Sequence, residues 1–474
     1  MKKFKYIFLL PFLLSFIACD ELLDVEPEQS LSTPAAFSDK NTAFASLMGV
    51  YSAAQDADVF GSITAMLSET QSDNVRFVGS FPTFQEVNNY VVIATNGSIR
   101  SIWADHYSAI LAANAVIVNM PKVDDPSLTD PERKQFIAEA KFMRALYYFN
   151  LVTHFAQPFN VSNGNTPGVP IVLTPDIFDG KQILPARNSV VEVYAQIEKD
   201  LLEALPDLPE KYSNAEQTRG RGTKGSANGI LSRLYLYKGD WAKTIQYADA
   251  VLSNKALYNL APNYAFWDGN TSEDVFVIQN SSTDQGSWDL YYQPAALGGR
   301  GDAPFSDDLL AAFDQVNDKR FTTLTIVGAD AGGNTKAIFT NKFPNGIVNS
   351  DNGPILRVTE VTLNKAEALV KNTNSVNEEA ILLLNPLLGR AGLPTVKAAD
   401  FADANALLER ILLERRKELC FEGHRRIDLL RNGKPLRTTG VGVGISNPGD
   451  PKVVFPIPQR DIDLGSSLPQ NPGY

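Results

Sequence analysis

The 474-residue sequence contains few of the side chains that most often bind metals or act as nucleophiles. It has two cysteines, Cys19 and Cys420, and three histidines, His106, His154 and His424, each isolated along the chain. Metal centres and catalytic triads need such side chains in groups, so the sequence offers little material for either. We therefore predict no cofactor and no metal.

Positive charge is also scarce. The chain has 43 Lys and Arg against 54 Asp and Glu, which gives a formal net charge of -11. An acidic chain lacks the basic surface that attracts a phosphate backbone, so we expect no nucleic acid partner. Beyond the amino terminus, no apolar run reaches the roughly 18 residues that a membrane-spanning helix needs. With 44% hydrophobic residues, the chain is expected to be globular with a large core.

The amino terminus has the pattern of an export signal. Three lysines in the first five residues precede an apolar stretch at 6–17, and an alanine and Cys19 follow. This arrangement is similar to a lipobox, with Phe16 where leucine is usual. We predict a lipoprotein signal peptide at 1–18 and an acylated Cys19 as the first mature residue; plain secretion with cleavage nearby is the alternative. Cys420 then has no partner and is expected to be a small core residue.

A charged helix near the carboxy terminus is unusual in its arrangement of acids. In the stretch 407–431, apolar residues recur at helical spacing, and Glu414, Glu418 and Glu422 recur every four residues. Three stacked carboxylates repel each other unless arginines from elsewhere meet them. We predict a partly buried seam of ion pairs, with Gly423 ending the helix; a solvated charged helix is the alternative.

The same stretch carries a family resemblance. Its sequence ERRKEL-x-FEG-x-RR-x-DL-x-R, at 414–431, resembles the carboxy-terminal signature of the SusD/RagB family of outer-membrane lipoproteins, with Arg426 where that family usually has tryptophan. Further matches are ETQSDNVRF at 69–77, AEAKFMRALYY at 138–148 and the closing QNPGY at 470–474. The order and spacing of these motifs are similar to the family along the whole chain.

Helical periodicity predicts the architecture. Amphipathic helices fill 38–255 and 355–431, and a Gly239-Asp240 turn joins two helices within about 30 residues, the size of a tetratricopeptide repeat unit. Helical periodicity largely disappears over 256–354. We predict a mostly α protein with one SusD-like domain at 19–474, in which degenerate tetratricopeptide-like helix pairs carry a long loop-rich insertion and a few short strands.

An enzymatic function has one candidate pair of residues. Glu360 and Glu367 lie seven helical positions apart, about 10 Å along a helix, which side chains can close to a glycosidase separation. Carboxylates on a helix that faces an arginine-rich segment are more often structural. We therefore predict that the protein is not an enzyme, and keep a glycan-cleaving enzyme within the insertion as an alternative.

A sugar-binding function does not need the catalytic groups that an enzyme needs. Sugars present apolar C–H faces and hydroxyl rims, so their sites combine exposed aromatic rings with polar side chains. Two loop regions, 76–90 and 288–292, have this mixture. In the SusD/RagB family, ligand-contacting aromatic residues lie on such insertions. We predict that the ligand contacts are Arg76, Phe77, Phe81, Phe84, Trp288, Tyr291 and Tyr292. For each ring the alternative is a core residue beneath a long loop.

The resemblance also implies a cellular role. It implies a lipid-anchored receptor on the outer face of the outer membrane that captures an oligosaccharide. The helices would meet a SusC-like TonB-dependent transporter, to which the receptor delivers its ligand. A peptide-binding receptor of the RagB type is the alternative with the same build.

Overall fold

The computed structural model describes residues 33–175, 185–267, 269–464 and 468–474. The signal peptide expected at 1–18 and Cys19 lie outside these residues. The described part of the chain is mostly helical, with seventeen α-helices and four short strands, which confirms the predicted fold class. None of its helices is both long enough and apolar enough to cross a membrane.

The first half of the chain forms helices that begin at well-defined caps. They are α1 (Thr33–Ala36), α2 (Lys40–Gln55), α3 (Ile63–Gln71), α4 (Pro82–Asn88), α5 (Gly97–Asn119), α6 (Asp130–Phe155), α7 (Val190–Ala204), α8 (Ala215–Gly220), α9 (Lys224–Lys238) and α10 (Trp241–Leu252). Asp39, Thr129 and Ser189 accept hydrogen bonds from the first backbone N–H groups of α2, α6 and α7. These caps satisfy donors that a helix start otherwise leaves unpaired.

Helix α6 lies at the centre of the helical scaffold. It packs between α5 and α7, and most of its side chains are buried, as its almost continuous apolar sequence predicts. Its buried Arg144 donates to Asn114 of α5 at 2.8 Å and to Asp200 of α7 at 2.6 Å. One guanidinium therefore holds three helices together.

Helices α9 and α10 form the predicted helix–turn–helix pair. Gly239 ends α9 with φ +77°, a conformation that glycine adopts without strain, and Asp240 caps α10. Trp103 is buried as its helical spacing predicts. Trp241, the first residue of α10, is only partly buried, and the Lys371 ammonium lies 4.8 Å from its ring centroid.

The second half of the chain contains the strands and the remaining helices. They are β1 (Asp274–Ile278), α11 (Asp307–Ala312), α12 (Lys319–Leu324), β2 (Thr325–Gly328), β3 (Ala337–Thr340), β4 (Gly353–Arg357), α13 (Val358–Thr373), α14 (Glu378–Arg390), α15 (Ala404–Leu419), α16 (Arg425–Arg431) and α17 (Gln459–Asp463). Strand β1 pairs antiparallel with β4, and β2 pairs antiparallel with β3. The prediction of a few short strands is confirmed.

Two predicted boundaries are wrong. A helix was expected to start at Ile355, but 355–357 belong to β4, whose five residues are all buried beside β1. Gly423 was expected to end the carboxy-terminal helix, but α15 already ends at Leu419. The first residue after it with a left-handed backbone conformation is Phe421, with φ +67°. Glu422 therefore lies in the turn between α15 and α16 and not on the helix.

Most of the hydrophobic core of the described residues lies in two clusters. The larger cluster runs through α2 to α10 and takes in rings from the insertion, and a second cluster joins α13, α14 and α15. The insertion is thus packed onto the helical scaffold and does not project as a free loop.

Candidate functional site

The predicted seam of ion pairs exists and is buried. Glu414 Oε2 lies 2.7 Å from Arg320 Nη2, and Glu418 Oε2 lies 2.9 Å from Arg390 Nη2. Burial by itself raises the pKa of Glu418, but the Arg390 and Arg320 guanidiniums outweigh it and lower that pKa to about 2. The prediction of a neutralised carboxylate row is confirmed, and the solvated helix is excluded.

The third carboxylate of the seam joins the insertion to the carboxy-terminal hairpin. Glu422 accepts from Arg357 Nε at 2.8 Å and from Lys342 Nζ at 2.7 Å. Lys342 also donates to the carbonyl oxygens of Glu418 and Cys420. Cys420 is a free, buried thiol, as expected. The seam therefore fixes the position of the insertion, which carries part of the predicted ligand site.

The two carboxylates considered for catalysis are also paired in the core. Glu360 lies 2.5 Å from Arg233 Nη2, and Glu367 lies 2.5 Å from Arg431 Nη1. Both glutamates are almost fully buried. Burial by itself raises the pKa of Glu360, but the Arg233 guanidinium outweighs this effect, and the pKa is lowered to about 2. These contacts agree with the structural interpretation and leave neither carboxylate open to a substrate.

The first predicted ligand loop runs alongside the insertion. The Arg76 N–H donates to the Pro304 carbonyl at 3.0 Å, and the Val78 N–H donates to the Asp302 carbonyl at 2.9 Å. After this strand-like pairing, Pro82 starts helix α4, an element that the sequence analysis treated as loop. Proline suits the first helical position because it has no N–H to leave unpaired. The loop is therefore held by backbone hydrogen bonds on one side and by a helix on the other.

The aromatic residues of this region form a stack from the surface into the core. Phe81 is 38% exposed, whereas Phe84 beneath it is buried, and their ring centroids are 5.2 Å apart. Phe84 also meets Phe77 at 6.2 Å and Tyr291 at 5.5 Å. Burial raises the pKa of Tyr291 to about 12, so its hydroxyl stays protonated. Phe81 is thus the most exposed of these rings, whereas Phe84 and Tyr291, which were also predicted to contact ligand, are buried and support it.

Trp288 and Tyr292 are core residues, which corrects the prediction that they contact ligand. Trp288 is 2% exposed, and its indole N–H donates to the Phe60 carbonyl at 3.1 Å. Tyr292 is fully buried, with its ring against Phe343 and Phe421. These rings anchor the insertion because long loops need apolar side chains to pack onto the scaffold. Neither ring is exposed at the protein surface; Trp288 helps to line a cavity of about 100 Å³.

Two arginines that are at least one-third exposed lie on this surface, and Arg300 is the one in contact with the Phe81 ring. The side chain of Arg76 is 42% exposed and lies 2.5 Å from the buried carboxylate of Asp330. Arg300, 34% exposed, donates to the buried Asp302 at 2.8 Å, and its guanidinium carbon lies 4.2 Å from the Phe81 ring centroid. Arg300 was not among the predicted site residues. The only local signal is that Arg300 follows the aromatic stretch 288–292 in the sequence. Many surface arginines follow aromatic residues in this way.

One group of acids has the composition of a cation site. Single carboxylate oxygens of Asp56, Asp58 and Asp105 lie within 4.8 Å of one another. Burial raises the pKa of Asp58 to about 7, and the charges of the other two add to this effect. Oxygen ligands of this type suit Ca²⁺. Exposed acidic groups are common without an ion, so we assign no metal to this one.

Comparisons with known proteins agree with the fold. The family model described as SusD family matches residues 328–474, and the model described as starch-binding associating with outer membrane matches residues 21–236. The chain is 25% identical to SusD-like protein P2 of Formosa agariphila over the full length of both chains.

Solved structures show the same architecture. A SusD superfamily protein from Bacteroides thetaiotaomicron is 26% identical, with a TM-score of 0.80 over 91% of this chain and 99% of that chain. A laminarin binding SusD-like protein is 24% identical, with a TM-score of 0.75 over 92% of this chain and 100% of that chain. One family model matches the first half of the chain and another matches its carboxy-terminal part, a relative matches it over its full length, and solved structures share its fold. Together these findings show that the chain belongs to the SusD/RagB family.

Proposed function

We propose that this protein is a cell-surface glycan-binding lipoprotein that captures oligosaccharides and delivers them to a SusC-like TonB-dependent transporter. The observation that carries the proposal is the exposed Phe81 ring with the guanidinium of Arg300 stacked beside it. The family model that describes starch binding and association with the outer membrane, and the laminarin-binding structural neighbour, support the same ligand class.

The proposed site combines stacking with directed hydrogen bonds. The apolar C–H face of a sugar ring packs on Phe81, and the N–H groups of Arg76 and Arg300 donate to its oxygen atoms. Asp330 and Asp302 hold the two guanidiniums in place before ligand arrives. Because these side chains need little ordering on binding, less of the interaction energy is lost.

We propose that the ligand is bound and not cleaved. Asp302 and Asp330, the carboxylates that pair with the two arginines of the proposed site, are buried. A general acid or base needs a carboxyl group within hydrogen-bond reach of the scissile bond. Transport would then take its energy from the partner, while this chain supplies affinity through its rigid site.

The anchor and the partner complete the proposal. We propose that Cys19, outside the described residues, is acylated and holds the chain on the outer face of the outer membrane. The helices of the scaffold would contact the transporter, leaving the loops of the insertion and of 76–84 to the ligand. A rigid helical body suits this role because it can present the loops without changing their shape.

Affinity electrophoresis tests the ligand class. The mature chain without its lipid is run through gels that contain single glycans, and retention by at least one of them is expected. Phe81→Ala should weaken that retention about tenfold or more, since it removes the stacking surface. Leu382→Ala, which removes an exposed apolar side chain from α14, serves as the matched control and should bind as wild type.

Three other results would contradict the proposal. Retention by no glycan together with binding to a peptide library would favour the peptide receptor. Release of reducing ends from a bound glycan would favour an enzyme. Equal retention of Phe81→Ala and wild type would remove Phe81 from the site.

A further inference from the structure

We infer that the ligand of the Phe81 site carries negative charge, so that the site binds oligosaccharides with carboxylate or sulfate groups. This inference rests on the proposed glycan-binding function and narrows its substrate class. It follows from the exposure of the Arg76 and Arg300 side chains and from the burial of the two aspartates that pair with them.

Arg300 is bound on one edge and open on the others. Its Nε donates to Asp302, whose side chain is almost completely buried. Within the described residues, the Nη groups of Arg300 have no hydrogen-bond acceptor, and the side chain is one-third exposed beside Phe81. A guanidinium has five N–H donors in a planar fork, so four of the five donors of Arg300 have no acceptor among the described residues. The stacked ring below keeps the fork in one orientation.

Arg76 repeats the same arrangement on the neighbouring strand-like segment. One Nη donates to Asp330, which is buried, and no described acceptor meets Nε or the other Nη. The two arginines belong to one surface, because the Ala331 N–H beside Asp330 donates to the carbonyl of Gly301, the residue after Arg300. The surface thus presents two guanidinium groups with unused donors: that of Arg300 over the Phe81 ring, and that of Arg76 on the segment 75–78, which pairs with 302–305.

The two aspartates do not prevent the guanidinium groups from binding an anionic ligand. Asp302 and Asp330 lie on the protein side of each pair and are closed to solvent, so a ligand meets the N–H edges and not the carboxylates. Carboxylate and sulfate oxygens match a guanidinium fork, because they can accept two parallel hydrogen bonds from it and carry the opposite charge. A neutral sugar would use these donors less well.

The acidic net charge of the chain does not oppose this inference. The formal charge of -11 is a sum over the whole chain. At physiological ionic strength the screening length is about 8 Å, so distant acids contribute little at the site. The groups in contact with the ligand therefore decide its charge preference.

Isothermal titration calorimetry of the mature chain with a charge series of glycans tests the inference. The neutral probes are laminarin, starch and xylan oligosaccharides; the carboxylated probes are oligogalacturonate and oligoalginate; the sulfated probe is a carrageenan oligosaccharide. We expect a carboxylated or sulfated probe to bind at least tenfold more tightly than every neutral probe. We also expect its affinity to fall several-fold between 50 and 500 mM NaCl, as ionic contacts are screened. The carboxylated and sulfated arms separate the two anionic groups.

Variants of the two arginines make the test specific. Arg76→Gln and Arg300→Gln should each weaken binding of the anionic probe about tenfold. Lys434→Gln removes one exposed positive charge that is paired with an exposed Glu409, and should change nothing. Should loss of Arg300 leave Asp302 buried and unfold the chain, the double variant Arg300→Gln/Asp302→Asn removes both charges. Thermal unfolding checks that each variant is folded.

Each outcome has a defined meaning. A neutral glycan bound as tightly as the anionic probes would overturn the inference and leave the glycan-binding function standing. Anionic binding that Arg76→Gln and Arg300→Gln weaken no more than Lys434→Gln does would also overturn it. Binding of no glycan of any charge would overturn both the inference and the proposed function.

Discussion

Arg357 and Glu422 form a two-bonded ion pair whose side chains are both almost completely buried. Arg357 Nε donates to Glu422 Oε2 at 2.8 Å, and Nη2 donates to Oε1 at 2.9 Å. The same guanidinium reaches Glu273 Oε1 at 3.0 Å. Arg357 ends strand β4 and Glu422 lies between α15 and α16, so the pair fastens the end of the insertion to the carboxy-terminal hairpin.

Removing this arginine should destabilise the protein strongly. Arg357→Met leaves Glu422 and Glu273 buried without their shared partner, which typically costs 3–5 kcal/mol, although Lys342 and Arg390 still contact them. We expect a loss of about 3 kcal/mol in the free energy of unfolding, measured by urea denaturation. The exposed pair of Lys434 provides the control, since Lys434→Gln should cost less than about 1 kcal/mol. A similar small loss for both variants would contradict the buried seam.

Stability should fall in acid partly through His424. Burial lowers the pKa of His424 from 6.5 to about 4, although Glu360 lies 3.7 Å away and opposes this effect. The unfolded chain therefore binds the proton more readily, so the contribution of His424 is complete above pH 6.5 and is lost as the pH falls towards 4. Between pH 6.5 and 4, we expect the free energy of unfolding of His424→Gln to fall by about 3 kcal/mol less than that of wild type. Urea denaturation at several pH values measures this difference.

The comparison at pH 8 is the control for this prediction. There the imidazole is neutral in both the folded and the unfolded chain, so any difference between wild type and His424→Gln reflects packing alone. Parallel curves for the two proteins between pH 6.5 and 4 would show that His424 does not keep its lowered pKa. Glu360 and Glu418, whose pKa values are about 2, add a further loss of stability below about pH 4.5.

Two glycines should respond to alanine in opposite directions. Gly49 lies in the middle of α2 with open space where a Cβ would be, so Gly49→Ala should stabilise by about 0.5–1 kcal/mol. Gly423 has φ +82°, and its Cβ would lie 3.0 Å from the Ala65 backbone, so Gly423→Ala should destabilise by more than about 1 kcal/mol. Thermal unfolding of both variants checks the pair. Equal effects would contradict the described turn between α15 and α16.

The predicted lipid anchor can be tested independently of the fold. Cys19→Ser removes the acylated side chain, so we expect the protein to lose labelled fatty acid and to leave the membrane fraction of expressing cells. The Cys420→Ser variant is the matched control, because that thiol is buried and its loss should leave labelling unchanged. Labelling that persists in Cys19→Ser would contradict the expected lipobox.

The sequence predicts the seam well because its signal is local. Glu414, Glu418 and Glu422 recur at one helical spacing, and a row of acids needs cations in any fold. Their partners could not be identified in advance, because Arg320, Arg357 and Arg390 come from three separate elements.

The ligand site is harder to predict, because an aromatic loop residue looks the same whether it is exposed or buried. Phe81 faces solvent at the start of α4, whereas Trp288 and Tyr292 pack beneath the insertion. Only contacts between distant parts of the chain separate these cases. The pairing of 75–78 with 302–305, which brings Arg300 to Phe81, joins segments more than 200 residues apart. Neither hydrophobic periodicity nor composition contains that information.

A crystal structure of the mature chain with a bound oligosaccharide tests the central claim most directly. The proposed function predicts a sugar ring packed on Phe81, with its oxygen atoms in hydrogen-bond contact with Arg76 and Arg300. A ligand bound elsewhere, such as in the cavity of about 100 Å³ that Trp288 and His424 help to line, would contradict it.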